Sequence, residues 1–229
     1  MGNGAESGTH TGTKRVLLVD DHPIVRQGLA LAMQDQTDLE VCGQAESASE
    51  AIEKIAQLKP DIAVIDLALK NSSGLELIKD INARFDNVLM LVLSMRDEGF
   101  YAERVLRAGA RGYVTKSEGF QTVLEAIRTV LHGKVHVSPA IADKVMNRLV
   151  EGSAKSQSDS RISTLTDREL EVFTLIGNGM PTREVAEHLH ISPKTVDSHR
   201  EHIKSKLDLD SATDLLKHAI QWVQMQQKG

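Results

Sequence analysis

The sequence has almost no cysteine and no long apolar run, and both shortages exclude classes of protein. Cys42 is the only cysteine among 229 residues, so an internal disulfide and a thiolate metal cluster are excluded. No apolar run approaches the ~20 residues that span a bilayer, and the N-terminus lacks a signal-peptide core. We therefore expect a cytoplasmic protein without a membrane partner.

An excess of positive charge is also missing. The formal net charge is -5 and the isoelectric point is about 6.0, which argues against a chain covered with basic surface. If DNA is a partner, its basic contact surface must be local, and dimerisation must add affinity. The apolar content of 41% and charged content of 26% are ordinary for a soluble globular protein with one large or two modest domains.

Strand and helix patterns alternate through the first part of the chain. Apolar, β-branched runs predict five buried strands, at residues 15–19, 39–45, 62–66, 88–93 and 112–115. A helical pattern follows each strand. Such repeats indicate a parallel sheet with helices on both faces, which is an α/β flavodoxin-like (βα)5 fold with strand order 2-1-3-4-5.

Polar residues stand where these strands end. Asp20 and Asp21 follow the first strand, Asp66 ends the third, Ser94 follows the fourth and Lys116 follows the fifth. Taken singly, the carboxylates and the serine are typical helix caps and the lysine is typical of a solvated surface. Their joint placement at one sheet edge, where ligands bind in open α/β folds, favours a functional pocket.

The chemistry of this pocket indicates a divalent cation and a phosphoryl group. Carboxylates gathered at one edge repel each other unless a cation lies among them, and oxygen-only ligands favour Mg²⁺. We expect Asp21 and Asp66 to be direct ligands, Asp20 to act through water, and the backbone carbonyl of Ala68 to complete the set.

Asp66 is the predicted phosphate acceptor. Lys116 would offset the charge of the arriving phosphoryl group, and the hydroxyl of Ser94 would hydrogen-bond to its oxygens.

A set of residues within 14–133 resembles the receiver domain of two-component response regulators: Asp20, Asp21, Asp66, Ser94, Tyr113 and Lys116. The resemblance implies that a sensor histidine kinase phosphorylates Asp66 and that the product slowly hydrolyses itself. Such a protein promotes only its own phosphotransfer and dephosphorylation and is otherwise not an enzyme. The resemblance also implies that Ser94 and Tyr113 move together as a switch.

The remainder of the chain has no strand pattern. A helix is predicted at 139–150, followed by a serine-rich polar linker at 151–163 and by four more helices. We therefore expect the following division: a flexible leader at 1–13, the receiver domain at 14–133, a linker helix and flexible linker at 134–163, and an all-α helix-turn-helix domain at 164–229.

The second and third helices of this last part are separated by a short turn, as in a helix-turn-helix. Residues 193–206 contain four basic and two acidic residues, a net charge of +2 in an acidic chain. A small bundle for protein contacts would also fit this charge. Residues 165–173, 183–189 and 191–207 resemble the LuxR-type DNA-binding domain, and together the two halves resemble the NarL/FixJ class.

This second resemblance implies that the third helix of the tail enters the major groove of double-stranded DNA. The residues it places at phosphates or base edges are Ser192, Lys194, Thr195, Asp197, Ser198, Arg200, Glu201 and Lys204. The last helix carries an apolar stripe that could pack on its own domain, but in the family it pairs two subunits into a homodimer on DNA. Its predicted pairing residues are Leu215, Ala219, Ile220 and Val223. RNA polymerase is a further candidate partner.

Three other functions fit part of the pattern. A haloacid-dehalogenase-like phosphatase would also use Asp66 as a nucleophile, but it needs an acidic residue where Ala68 stands. A flavodoxin-like cofactor binder is disfavoured because an acidic pocket repels a flavin phosphate. A receiver that controls DNA binding without phosphorylation remains open. If phosphorylation does control DNA binding, we expect the unphosphorylated receiver to cover the third helix of the tail, the recognition helix, or to block pairing. Phosphorylation of Asp66 would then relieve this block.

Overall fold

The computed structural model describes residues 12–69, 72–96, 98–151, 161–189 and 191–226. The predicted leader, apart from its last two residues, lies outside the described residues. So does most of the predicted flexible linker. None of the helices within the described ranges is both long enough and apolar enough to cross a bilayer.

A parallel sheet forms the centre of the N-terminal part. Its strands, in chain order, are β1 (Lys14–Val19), β2 (Leu39–Ala45), β3 (Ile62–Ile65), β6 (Leu89–Ser94) and β7 (Gly112–Thr115). Between β3 and the next helix, the two-residue strands β4 (Ala68–Leu69) and β5 (Ser72–Ser73) pair antiparallel. The order in the main sheet is β2-β1-β3-β6-β7, which confirms the predicted order once the short pair is set aside.

Helices cover both faces of the sheet, as the alternating pattern predicts. They are α1 (Pro23–Gln34), α2 (Ala48–Leu58), α3 (Gly74–Arg84), α4 (Glu98–Ala108) and α5 (Phe120–Leu131). One apolar core lies between the sheet and α1 with α5, and the other lies between the sheet and α2, α3 and α4. All four residues of β3 are buried, because a central strand of a doubly covered sheet faces helices on both sides.

The chain beyond α5 first returns to the sheet edge. His136 forms a parallel bridge with Gly112: the Tyr113 N–H donates to the His136 carbonyl at 2.8 Å, and the His136 N–H donates to the Arg111 carbonyl at 3.0 Å. The next helix, α6 (Pro139–Glu151), begins close to α4, where the Ser138 N–H donates to the Glu98 carboxylate at 2.8 Å.

The C-terminal part is helical throughout its described residues. A 3₁₀ turn (Ile162–Thr164) precedes α7 (Asp167–Gly177), α8 (Thr182–His188), α9 (Pro193–Leu207) and α10 (Ala212–Gln226). Thr166 and Glu169 form a capping box at the start of α7. Gly177 allows α10 to approach closely, since a Cβ there would lie 2.4 Å from the carbonyl oxygen of Ala219. The core of this helical part is continuous with the apolar core beside α3 and α4.

Gly74 permits the tight junction between the loop after β3 and α3, which leads to our first testable expectation. A Cβ at Gly74 would lie 2.1 Å from the carbonyl oxygen of Asp66, a contact that only movement of backbone can relieve. We expect Gly74→Ala to lower the free energy of unfolding by about 1–3 kcal/mol, the usual cost of overpacking. Urea denaturation measures it. Gly119→Ala is the control, because a Cβ there meets nothing within 4 Å, and equal stability of both variants would contradict the expectation.

Candidate functional site

Backbone hydrogen bonds continue past the strand ends and fix the predicted pocket residues. The Asp66 N–H donates to the Val19 carbonyl at 2.8 Å, and the Lys116 N–H donates to the Ser94 carbonyl at 2.9 Å. Asp20 is held in the same way by the Ala45 carbonyl at 3.0 Å. Polar side chains at the carboxyl edge of the sheet are therefore positioned by the sheet itself, not by a flexible loop.

Lys116 lies between two buried carboxylates. Its Nζ is 2.7 Å from Oδ2 of Asp20 and 2.6 Å from Oδ2 of Asp66, and all three side chains are less than a tenth exposed. Burial disfavours the charged ammonium, but the charges and hydrogen bonds of Asp66 and Asp20 outweigh this effect and raise the pKa of Lys116. The ammonium is therefore fixed beside the carboxylate that the sequence marks as phosphate acceptor.

The carboxylates beside Lys116 have the chemistry of a cation site. Oxygen atoms of Asp20, Asp21 and Asp66 and a ring nitrogen of His22 lie within 4.8 Å of one another. Oδ1 of Asp21 is buried and has no hydrogen-bond partner among the described residues, although Nδ1 of His22 lies 2.7 Å away without hydrogen-bond alignment. A buried oxygen without a partner is costly, so this donor set fits a hard divalent cation.

Ala68 contributes a different group from the predicted one. Its backbone N–H donates to Oδ1 of Asp66 at 3.2 Å. This contact holds the free oxygen of the carboxylate in place. The use of the Ala68 carbonyl as a metal ligand stays a prediction.

The predicted switch residues lie side by side and share a neighbour. Ser94 is fully buried, and its Oγ accepts from the Arg96 N–H at 3.3 Å. Tyr113 is also buried, and its hydroxyl donates to the Arg96 carbonyl at 2.6 Å. Burial raises the pKa of Tyr113, which a hydrogen bond with Ser94 partly opposes, so its hydroxyl stays protonated.

The predicted DNA-contacting residues lie on α9, with Ser192 as its N-cap. The Ser192 hydroxyl accepts from the Thr195 N–H at 3.1 Å, and Val196, Ile203 and Leu207 turn inward. Residues on the outer side are exposed: Ser192, Lys194, Thr195, Asp197, Ser198 and Glu201. Arg200 and Lys204 are half-buried.

Both half-buried residues have partners within the chain. Arg200 donates to the Thr182 hydroxyl at 3.1 Å, and Lys204 pairs with Glu201 at 2.9 Å. Among the described residues, the receiver does not cover the exposed side of α9. The first form of the expectation, a covered recognition helix, is therefore wrong for this conformation, and its second form, blocked pairing, stays a prediction.

Comparison with known proteins places both parts in one family. The response regulator receiver domain matches residues 16–128, and the family described as bacterial regulatory proteins, luxR family, matches residues 163–219. The oxygen regulatory protein NreC of Staphylococcus carnosus (strain TM300) is 34% identical over 209 residues, which cover 90% of this chain and 96% of NreC. The chain is a NarL-family response regulator.

Solved structures agree with this response regulator in fold. The RcsB response regulator of Salmonella typhimurium has 25% identity and a TM-score of 0.69, covering 92% of this chain and 98% of its own. A structure of two RcsB dimers bound to two parallel DNAs has 25% identity and a TM-score of 0.53, covering 90% and 96%.

The last helix of this response regulator does not present the predicted pairing stripe. Leu215, Ala219 and Val223 are buried, and Ala219 and Val223 lie against Gly177 of α7. This part of the apolar stripe packs into the core of its own domain. These three residues therefore do not form a pairing surface in this conformation. Ile220 remains half-buried, and its role in pairing stays a prediction.

Two residues of this response regulator were missed from the sequence. His22 follows the acidic pair directly in sequence, and its Nδ1 lies 3.0 Å from Oδ1 of Asp20 and 2.7 Å from Oδ1 of Asp21. Its adjacency to the pair in sequence could have indicated these contacts. Arg96 stands two residues after Ser94 and borders the clefts between the two parts of the chain. No local pattern marks it, because the residues of the helical part that line these clefts with it are far away in sequence.

Proposed function

We propose that this response regulator accepts a phosphoryl group on Asp66 from a sensor histidine kinase and then binds operator DNA as a homodimer. The observation that carries the proposal is the buried Lys116 ammonium, 2.6 Å from Asp66 and 2.7 Å from Asp20 at the carboxyl edge of the sheet. This places a fixed positive charge where a phosphoryl group would add negative charge.

In the transfer, a carboxylate oxygen of Asp66 bonds to phosphorus while the bond between phosphorus and the kinase's histidine nitrogen breaks. The electron pair of the broken bond stays on the imidazole. Lys116 faces the added charge. Ser94 ends β6, its carbonyl accepts from the Lys116 N–H, and its buried hydroxyl would turn toward a phosphoryl oxygen. The same groups act on later hydrolysis, so the protein promotes only its own phosphotransfer and dephosphorylation.

Mg²⁺ would be held by Asp21 and Asp66 directly, with Asp20 through water and the Ala68 carbonyl as a further ligand. The buried Asp21 oxygen, which has no hydrogen-bond partner among the residues that the structure describes, supports this arrangement. A bound Mg²⁺ supplies positive charge that offsets the phosphoryl oxygens.

Removal of the cation tests the proposal. With acetyl phosphate as donor, we expect the full chain to gain one phosphoryl group in Mg²⁺ and none in EDTA, measured by intact-mass spectrometry. Asp21→Asn should require at least roughly tenfold more Mg²⁺ for the same rate. Asp35→Asn, an exposed carboxylate at the end of α1, is the control and should keep the wild-type requirement. Equal incorporation in EDTA, or no incorporation at all, would contradict the proposal.

The exposed outer side of α9 supports DNA binding, with Lys194 and Thr195 at phosphates and Asp197, Ser198 and Glu201 toward base edges. The related RcsB structure, described as dimers bound to DNA, supports a homodimer on a two-fold operator. Because most of the apolar stripe is buried, pairing would use the accessible part of α10, where Leu216 is 40% exposed. The protein would act in the cytoplasm, with RNA polymerase as a further partner.

A further inference from the structure

The receiver and the helical part are joined by ionic and aromatic contacts. Asp167, the first residue of α7, lies 2.7 Å from Lys79 of α3 and 2.8 Å from Arg104 of α4. Burial disfavours its charge, but these two cations outweigh the burial and lower the pKa of Asp167, so it is ionised near neutrality. Beside them, the rings of Phe100 on α4 and Trp222 on α10 meet edge to face, with centroids 5.5 Å apart.

This contact contains an unfavourable element. Trp222 is 6% exposed, and its Nε1 has no hydrogen-bond partner within the part of the chain that the structure describes. An unpaired buried N–H costs free energy that contact with water would recover. Opening that exposes Nε1 to water would recover this free energy.

Arg96 lies between the helical part and the loop that follows Asp66, which we call the phosphate-acceptor loop. It lines a narrow cleft with Leu67, Ala68 and Leu69, the residues directly after Asp66, and the opposite wall is formed by Glu171, Leu175, His188 and Leu189. Its guanidinium donates to the Tyr101 hydroxyl at 3.0 Å and lies over the Tyr101 ring, 5.2 Å from the centroid. That hydroxyl is 3.5 Å from Oγ1 of Thr174 on α7.

The backbone of Arg96 is held by both switch residues. Its N–H donates to Ser94 and its carbonyl accepts from Tyr113. Its side chain lines a cleft together with Glu171 of α7. Burial opposes its positive charge, but Tyr101, Glu171 and Asp66 together raise the pKa of Arg96. A single side chain therefore connects the pocket with α7.

We propose that Arg96 is the positioning residue that transmits the state of Asp66 to the helical part. In the present arrangement it stabilises the closed contact through Tyr101 and faces Glu171. A phosphoryl group on Asp66 adds negative charge at the carboxyl edge of the sheet, and any shift of Ser94 toward it releases the Arg96 N–H. The guanidinium then moves toward the phosphoryl oxygens, the Tyr101 hydroxyl loses its hydrogen bond from Arg96, and the Phe100–Trp222 contact opens. The inference rests on the proposed phosphorylation of Asp66.

Trp222 is the only tryptophan of the chain, so the fluorescence signal comes from this one side chain, which contacts Phe100 of the receiver and Phe173 of α7. The experiment uses the full chain with Mg²⁺ and beryllofluoride, which mimics a phosphoryl group on a carboxylate. We expect beryllofluoride to increase acrylamide quenching of Trp222 in the wild type. Beryllofluoride should shift the equilibrium between the closed and the open Phe100–Trp222 contact, and the quenching measures this shift. In Arg96→Gln we expect the shift in the equilibrium constant to fall by about fivefold or more. Arg96→Lys, which keeps the charge, should restore about half of the response.

Arg107→Gln is the matched control, because it removes the same charge from an exposed position on α4 where the partner is Glu103 of the same helix. It should respond like the wild type, and thermal melting checks that all variants are folded. An unchanged response in Arg96→Gln, or no response of the wild type with beryllofluoride bound, would overturn the role of Arg96. Fluorine NMR detects bound beryllofluoride separately, and its absence would instead overturn the proposed function.

Discussion

Replacing Asp66 with Asn is expected to abolish phosphoryl incorporation and every effect of a phosphodonor on DNA affinity. The amide has no anionic oxygen to attack phosphorus, and it removes one of the two carboxylates that hold Lys116. In the wild type the donor should raise affinity by about 5- to 150-fold, the usual range of coupling between two sites. Fluorescence anisotropy with a duplex selected by the full chain from a random-sequence pool measures the change.

Asp80→Asn is the matched control for this experiment. Asp80 is exposed on α3, the helix that follows the phosphate-acceptor loop, and the same substitution there should leave incorporation and donor response unchanged. A donor response that persists in Asp66→Asn would place the phosphoryl group elsewhere. A wild type that binds DNA equally well with and without donor would favour a receiver that acts without phosphorylation.

Replacing Lys194 with Ala is expected to weaken DNA binding by roughly tenfold and to reduce the salt dependence by about one released counterion. Lys194 is exposed in the first turn of α9, where the helix N-terminus also attracts phosphate. A phosphate contact carries no base information, so the loss should be similar for operator and random duplexes. Binding titrations between low and moderate salt give the slope directly.

Lys217→Ala tests whether this effect belongs to α9 or only to net charge. Lys217 is an exposed lysine on α10, and its loss changes the total charge by the same amount. We expect a salt slope close to that of the wild type. If the two alanine variants had the same slope, α9 would not be the surface that contacts phosphates.

The sheet and its order could be predicted because the necessary signals are local. Buried β-branched runs such as 62–65 mark central strands, and the helical patterns between them leave few topologies open. The pocket followed from the same pattern, since Asp20 and Asp66 continue the hydrogen bonding of β1 and β3 and therefore reach the same edge. Here local sequence and global fold specify the same positions.

The contacts between the two parts of the chain could not be predicted in this way. Asp167 meets Lys79 and Arg104 across separations of 88 and 63 residues, and none of the three belongs to a pattern that differs from an ordinary solvated helix face. The stripe on α10 failed for a related reason. An apolar face shows that a helix is covered, but it does not show whether α7 or a second subunit covers it.

The bridge between His136 and Gly112 also has a consequence for solubility. An open edge of a sheet can recruit strands from other molecules, which is the usual start of aggregation. In this fold the β7 side is already occupied by the segment around His136. At the opposite side, β2 carries an extra residue where Val16 pairs with Val41 but Leu17 pairs with Gly43, so its backbone is irregular. The folded protein should therefore resist strand pairing with other molecules at both edges of its sheet.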